Sequence, residues 1–195
     1  MQAPLAIVTG FGSFVTVTLN PSEKVAHILE SEPPSNAEVR ALELPVSFAR
    51  AKPSLDAFLA DLPRNPAVLL GLGVHKKGFF RLESRARRIM DSAKPDNDGQ
   101  FAKDVPSLGE IELETSFDVE QFKPLLEHED LAPPIVSHEA GGFVCERTYY
   151  ALLEAGERLG IPALFLHIPP SHFLAPEQQA HCVRELVTQM VSAAE

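Results

Sequence analysis

The chain has 195 residues, 45% of them hydrophobic, which suits one sizeable core and a single domain over 1–195. Its 17 Lys plus Arg against 27 Asp plus Glu leave a net charge of −10, so nucleic acid and an anionic membrane surface are expected not to be partners. No signal-like leader opens the chain and no apolar run reaches the roughly 18–20 residues that span a bilayer, which predicts a cytoplasmic protein. Cys145 and Cys182 are too few for a disulfide scaffold or a four-cysteine zinc site, and a bridge between them is disfavoured.

In chain order, the apolar run Leu5–Val8 closed by Thr9 and Gly10 predicts a buried first strand. Asn20 as cap, Pro21 at the first helical position and Glu23 three residues after the cap predict a helix from about Pro21 to Glu30. Val39–Val46 alternates toward a strand, Ser54–Leu62 has helical spacing, and Ala67–Leu70 reads as a buried strand ending in Gly71. Phe79–Met90 reads as an extended arm, Lys94–Gly109 as a polar loop, and Asp118–Glu127 as a helix. The remainder predicts a strand at Pro134–Ser137, a helix from Phe143 to Leu159 stopped by Gly160, a strand at Ala163–Ile168 and a closing helix from Pro176 to Ala193. In that last helix Val183, Leu186, Val187 and Met190 make one apolar stripe. Alternating strands and helices predict an α/β fold, layered α/β/α around a mostly parallel, mixed central sheet.

Three residues invite a chemical role. Cys145 follows Gly141 and Gly142 at a helix start, where unpaired N–H groups and the positive end of the helix dipole favour a thiolate. A free cysteine is equally at home as a small buried hydrophobe. His167 stands at the carboxyl end of a predicted buried strand, the edge at which sites assemble in open α/β sheets, and could move a proton for the sulfur. Glu83, among apolar and basic residues, is suited to orienting an imidazole or to pairing with Arg81, Arg85 or Arg87. The histidines form no metal-ligand spacing, so no metal is expected; Thr9–Gly12 lacks the third glycine of a dinucleotide loop.

Taken together, several segments resemble the pyroglutamyl peptidase type I family, the pyrrolidone-carboxylate peptidases. They are Thr9–Phe14 with Asn20–Ser22, Glu43–Pro45, Gly71, Leu82–Glu83, Pro95–Gly99, Ala140–Cys145 with Tyr149, Tyr150 and Leu152, and Phe165–Pro169. Their order and spacing carry the resemblance across almost the whole chain. It implies a cysteine peptidase that needs no cofactor and removes an N-terminal pyroglutamyl residue from peptides. It also implies a triad of nucleophile Cys145, general base and acid His167 and orienting carboxylate Glu83. Phe11, Phe14 and Phe143 match the family's aromatic wall, with Val144 and Val46 as further lining, a setting suited to a neutral lactam ring. Homo-oligomers are common in the family, and the resemblance extends that expectation here.

The chain also departs from the family's pattern. Val15–Thr18 replaces a glycine-rich stretch, Leu72 stands where a glutamine follows the strand glycine, Gly73–Gly78 is one residue longer, and Ala93 replaces an arginine that helps hold the oxyanion. Lys94, Arg85, Arg87 and Arg88 are the candidate substitutes for that arginine. These departures keep two alternatives open: a triad hydrolase acting on another small blocked amide or ester, and a non-catalytic ligand-binding relative.

Overall fold

Strand β1 (Leu5–Phe11) is buried along its whole length, as a parallel strand covered on both faces must be. The computed structural model describes residues 2–14 and 20–194, so Val15–Thr18 lies outside the described residues. After β1 come α1 (Pro21–Ser31), β2 (Glu38–Leu44), α2 (Ala51–Ala60) and β3 (Val68–Val74). Short strands β4 (Arg81–Glu83), β5 (Arg85–Ala86), β6 (Ile89–Asp91), β7 (Lys103–Pro106) and β8 (Leu113–Glu114) follow. A 3₁₀ helix (Val119–Leu126), β9 (Ile135–Ser137), α3 (Val144–Leu159), β10 (Ala163–Ile168) and α4 (Pro176–Ala193) complete the chain.

The six-stranded central sheet has the order β2-β1-β3-β10-β4-β9, and every pair except β10 with β4 is parallel. One core lies between the sheet and α1, α4 and the 3₁₀ helix, where the predicted stripe of Val183, Leu186, Val187 and Met190 is fully buried. The second lies under α2 and α3, around Leu55, Leu152, Tyr149 and Phe165. Among the described residues no helix is long and apolar enough to cross a membrane.

Three expectations change. The predicted arm Phe79–Met90 is three short strands, and its first, β4, is drawn into the sheet because Leu82 is fully buried opposite Leu166. The helix predicted over Asp118–Glu127 is a 3₁₀ helix with Pro124 inside it; proline has no N–H to extend an α-helical ladder. Within the predicted polar loop Lys94–Gly109, β7 pairs with β6.

The cap of α1 forms as its sequence signals. Asn20 accepts the Ser22 N–H at 3.1 Å and the Ser22 hydroxyl at 2.8 Å, and its amide donates to the Gly12 carbonyl at 3.1 Å. It therefore ties the end of β1 to the start of α1. Asn20→Ala is expected to cost about 1–3 kcal/mol in urea unfolding, while Asn20→Asp, which keeps the acceptor and loses the donor, costs less. Equal midpoints for Asn20→Ala and the unaltered protein would refute this assignment of the cap.

Candidate active site

Parallel strands collect their carboxyl ends on one edge of the sheet, and a cavity lies there. It has a volume of about 420 Å³ and is bordered by Phe11 at the end of β1, Val74 at the end of β3 and Pro170 just beyond β10. All five expected lining residues, Phe11, Phe14, Val46, Phe143 and Val144, border it together with Cys145. Phe143 meets Phe14 and Phe48 edge-on at centroid distances of 5.6 and 5.3 Å, a favourable arrangement for aromatic quadrupoles.

Register explains how Cys145 and His167 come to face the same region. His167 lies directly beside Gly73 in the β10–β3 ladder, so both positions point to the α3 face of the sheet. A Cβ on Gly73 would stand 3.0 Å from Cys145 Sγ. Glycine at that position leaves the sulfur room to settle onto the sheet beside the imidazole's strand; a Cβ there would crowd both Cys145 and Phe165.

Glu83 reaches His167 through the antiparallel β10–β4 pairing. Its Oε1 accepts from His167 Nδ1 at 2.6 Å, and the side chain of Glu83 is completely buried. With Nδ1–H committed to the carboxylate, Nε2 of the neutral ring carries no proton and can act as a base. The same oxygen accepts from Arg81 Nε at 2.7 Å, while Glu83 Oε2 is buried without a hydrogen-bond partner among the described residues. Tyr149, one turn after Cys145 on α3, donates its hydroxyl to the Glu83 carbonyl at 2.7 Å and locks helix to strand.

The loop that delivers the cysteine is held by a residue the sequence pattern does not single out. Glu146, fully buried at the third position of α3, accepts from the Gly142 N–H at 3.2 Å, the Arg87 N–H at 2.7 Å and Arg87 Nε at 3.2 Å. A glutamate at the third helical position is placed as in a capping box, three residues after the N-cap Phe143, which is the signal that could have revealed it, although here it reaches one residue further back, to Gly142. Gly142 has φ +70°, and a Cβ there would meet the Asp91 carbonyl oxygen at 2.6 Å, so the turn admits no side chain.

Of the four cations considered in place of the absent arginine, Lys94 borders the cavity. Its Nζ lies 4.4 Å from the Phe14 ring centroid and 4.6 Å from that of Phe143. Arg85 pairs with Glu112, Arg87 with Glu139 and Glu146, and Arg88 is exposed. Leu72 is fully buried in the core beneath α1 and α4, because strand alternation turns it away from the face carrying Gly71 and Gly73. That departure from the family pattern therefore leaves the cavity wall untouched.

The electrostatics run against the expectation of a ready-made thiolate. Burial pushes the Cys145 thiol up to about 12; Glu83 and Glu146 add to the shift, and Lys94 and Arg81 oppose it. Burial also pushes His75, at the cavity rim, down to about 4, so that ring is neutral at physiological pH. Cys145 and Cys182 are both free thiols, and the described residues contain no group of three or more side chains suited to a metal.

A sequence model of the family described as pyroglutamyl peptidase matches residues 5–193. The pyrrolidone-carboxylate peptidase of Enterobacter sp. (strain 638) is 31% identical over 196 residues, covering 96% of this chain and 87% of its own. That of Pyrococcus furiosus is 29% identical over 167 residues, covering 84% and 79% respectively. The crystal structure of pyroglutamyl peptidase I from Bacillus amyloliquefaciens superposes with a TM-score of 0.88 over 98% of both chains at 20% identity, which establishes likeness of fold.

With desolvation pushing the Cys145 thiol up to about 12, its alkylation by iodoacetamide is expected to accelerate about tenfold per pH unit from about pH 7 to 9 without levelling. Mass spectrometry of the modified residue reads the rate. A plateau beginning below about pH 8 would mean that the thiol is already ionised in the resting protein.

Proposed function

The chain belongs to the pyroglutamyl peptidase family, and on that premise we propose that it is a cytoplasmic cysteine omega-peptidase that cleaves the amide bond after an N-terminal pyroglutamyl residue. The observation that carries the proposal is the buried 2.6 Å pair between His167 Nδ1 and Glu83 Oε1, built on the strand beside the glycine against which Cys145 Sγ rests. Pyroglutamate is a flat, neutral lactam, and the apolar cavity offers it aromatic faces at Phe11, Phe14 and Phe143.

In the proposed reaction the scissile carbonyl lies over Cys145. His167 Nε2 takes the thiol proton as sulfur attacks, so the thiolate exists only when an electrophile is in place. This suits a half-buried thiol whose desolvation opposes ionisation at rest. The developing oxyanion meets the Cys145 N–H, one of the first-turn groups without an intrahelical acceptor, and the Lys94 ammonium. The tetrahedral adduct collapses as His167 gives its proton to the departing amine, leaving a thioester. Water, deprotonated by His167, then attacks the thioester; the C–S bond breaks, pyroglutamate leaves and the sulfur regains its proton. Glu83 steadies the imidazolium formed in each half-reaction.

The test is release of chromophore from a pyroglutamyl anilide. Cys145→Ala is expected to abolish it, and His167→Ala and Glu83→Gln to lower kcat by on the order of 10²–10⁴. No release by the unaltered protein at high concentration would overturn the proposal and favour a non-catalytic ligand-binding relative. Faster turnover of acetyl or prolyl amides would keep the triad and change the substrate.

The role of Lys94 is tested separately. Lys94→Met is expected to lower kcat for the anilide by about a hundredfold with a smaller change in KM, as loss of an oxyanion donor does. An unchanged kcat would remove Lys94 from the chemistry.

A further inference from the structure

The chain as a whole is strongly acidic, yet the cavity at Cys145 has no carboxylate among its described lining residues. It has two lysines, Lys76 and Lys94. Neither is in an ion pair among the described residues, unlike Lys24, Lys52 and Lys123, which each have a carboxylate partner. Both border the same cavity, and burial, with a smaller like-charge contribution from Lys76 and against an opposing one from Cys145, holds the Lys94 ammonium below the ordinary lysine value. Glu43, beside Gly12, and Glu23, beyond Asn20 and Pro21, lie outside the cavity lining and form no ion pair with either lysine among the described residues, and the other nearby acids have partners of their own. Glu83 is held by Arg81 and His167, Glu146 by Arg87, and Asp98 by Arg50, while Asp96 accepts the N–H groups of Phe48, Asp98 and Gln100.

A neutral lactam brings no charge of its own to these ammonium groups: Lys94 has the Phe14 and Phe143 rings and, in the proposed reaction, the passing oxyanion, and Lys76 has neither. Placed on the aromatic walls with its carbonyl over Cys145, it leaves the departing residue to exit past the cavity mouth, where Lys76 and His172 are exposed. A low-dielectric cleft lined with one sign of charge concentrates ligands of the other sign. His75 contributes no charge there at physiological pH.

Resting on the activity proposed above, we infer that Lys76 and Lys94 make the site selective for pyroglutamyl substrates with a carboxylate within one residue of the scissile amide. That carboxylate is either the side chain of an acidic second residue or the free α-carboxylate of a pyroglutamyl dipeptide. The two sources share one chemistry and are separated by the substrates chosen.

Three substrates decide it: pyroglutamyl-glutamate amide, pyroglutamyl-glutamine amide and the free acid of pyroglutamyl-glutamine. The first and third are expected to exceed the second in kcat/KM by about three- to tenfold at low salt, and the advantage to shrink at about 0.5 M salt. In Lys76→Met and Lys94→Met the ratio of charged to neutral substrate falls toward one, whatever the absolute rates. A gain for the first alone identifies the side-chain carboxylate, and a gain for the third alone the terminal one. Equal rates in the unaltered protein, or a preference that survives both substitutions, would overturn the inference.

A second readout does not depend on turnover of pyroglutamyl compounds. The ratio of Cys145 alkylation by anionic iodoacetate to that by neutral iodoacetamide is expected to exceed the ratio for free cysteine and to drop in both lysine variants. If no pyroglutamyl substrate turns over while this ratio behaves as expected, the peptidase proposal fails and the anion-selective mouth stands. If turnover is seen and neither ratio responds to the lysines, the peptidase proposal stands and the selectivity fails.

Discussion

A carboxylate with no access to water must be bonded to donors or lose its charge, and Glu83 is the point at which this constraint shapes the molecule. One of its oxygens accepts from both His167 and Arg81, so strand β4 cannot leave the sheet without stranding a buried charge. The antiparallel insertion of β4 between β10 and β9 interrupts an otherwise parallel sheet. It is also what brings an acid next to a histidine that lies 84 residues away in sequence. Tyr149 extends the same restraint to α3, so the helix bearing Cys145, the strand bearing His167 and the strand bearing Glu83 are braced against one another.

A second buried carboxylate braces the cysteine from the other side. Glu146 holds both the Gly142 turn and Arg87, fixing the approach to α3 where the backbone has no freedom for a side chain. The sulfur, half-buried at the edge of the cavity, thus has acids behind it, and its desolvation and those charges both favour the thiol over the thiolate. For the proposed chemistry, this means that proton transfer to His167 accompanies attack and does not precede it. The cost of separating charge then falls in the transition state, where the proposal gives Lys94 and the Cys145 N–H the task of reducing it.

Much of the secondary structure was legible along the chain because its signals are local. Asn20 before Pro21 marks the start of α1, Gly160 at φ +69° ends α3, and the spacing of Val183, Leu186, Val187 and Met190 gives α4 its buried face. Where a signal was local but overridden, a nameable force intervened. Pro124 turned a predicted α-helix into a 3₁₀ helix, and burial of Leu82 drew a predicted arm into the sheet. Glu146 went unnoticed because a charged residue beside a cysteine looks solvated until the fold buries it.

By itself, then, the sequence determined where most elements begin and end, the alternation that makes an α/β sheet, and the family to which the chain belongs. The first two depend on residue types at fixed short separations and the third on the order of short segments along the chain, both of which a linear reading can measure. Only the tertiary structure decided that Leu72 faces away from the cavity, that Lys94 and not an arginine stands over the aromatic walls, and that the Cys145 thiol is driven up by burial. Each of these depends on strand order, register and the dielectric around a group. Those properties arise when segments far apart in sequence are packed together, and no window along the chain contains them.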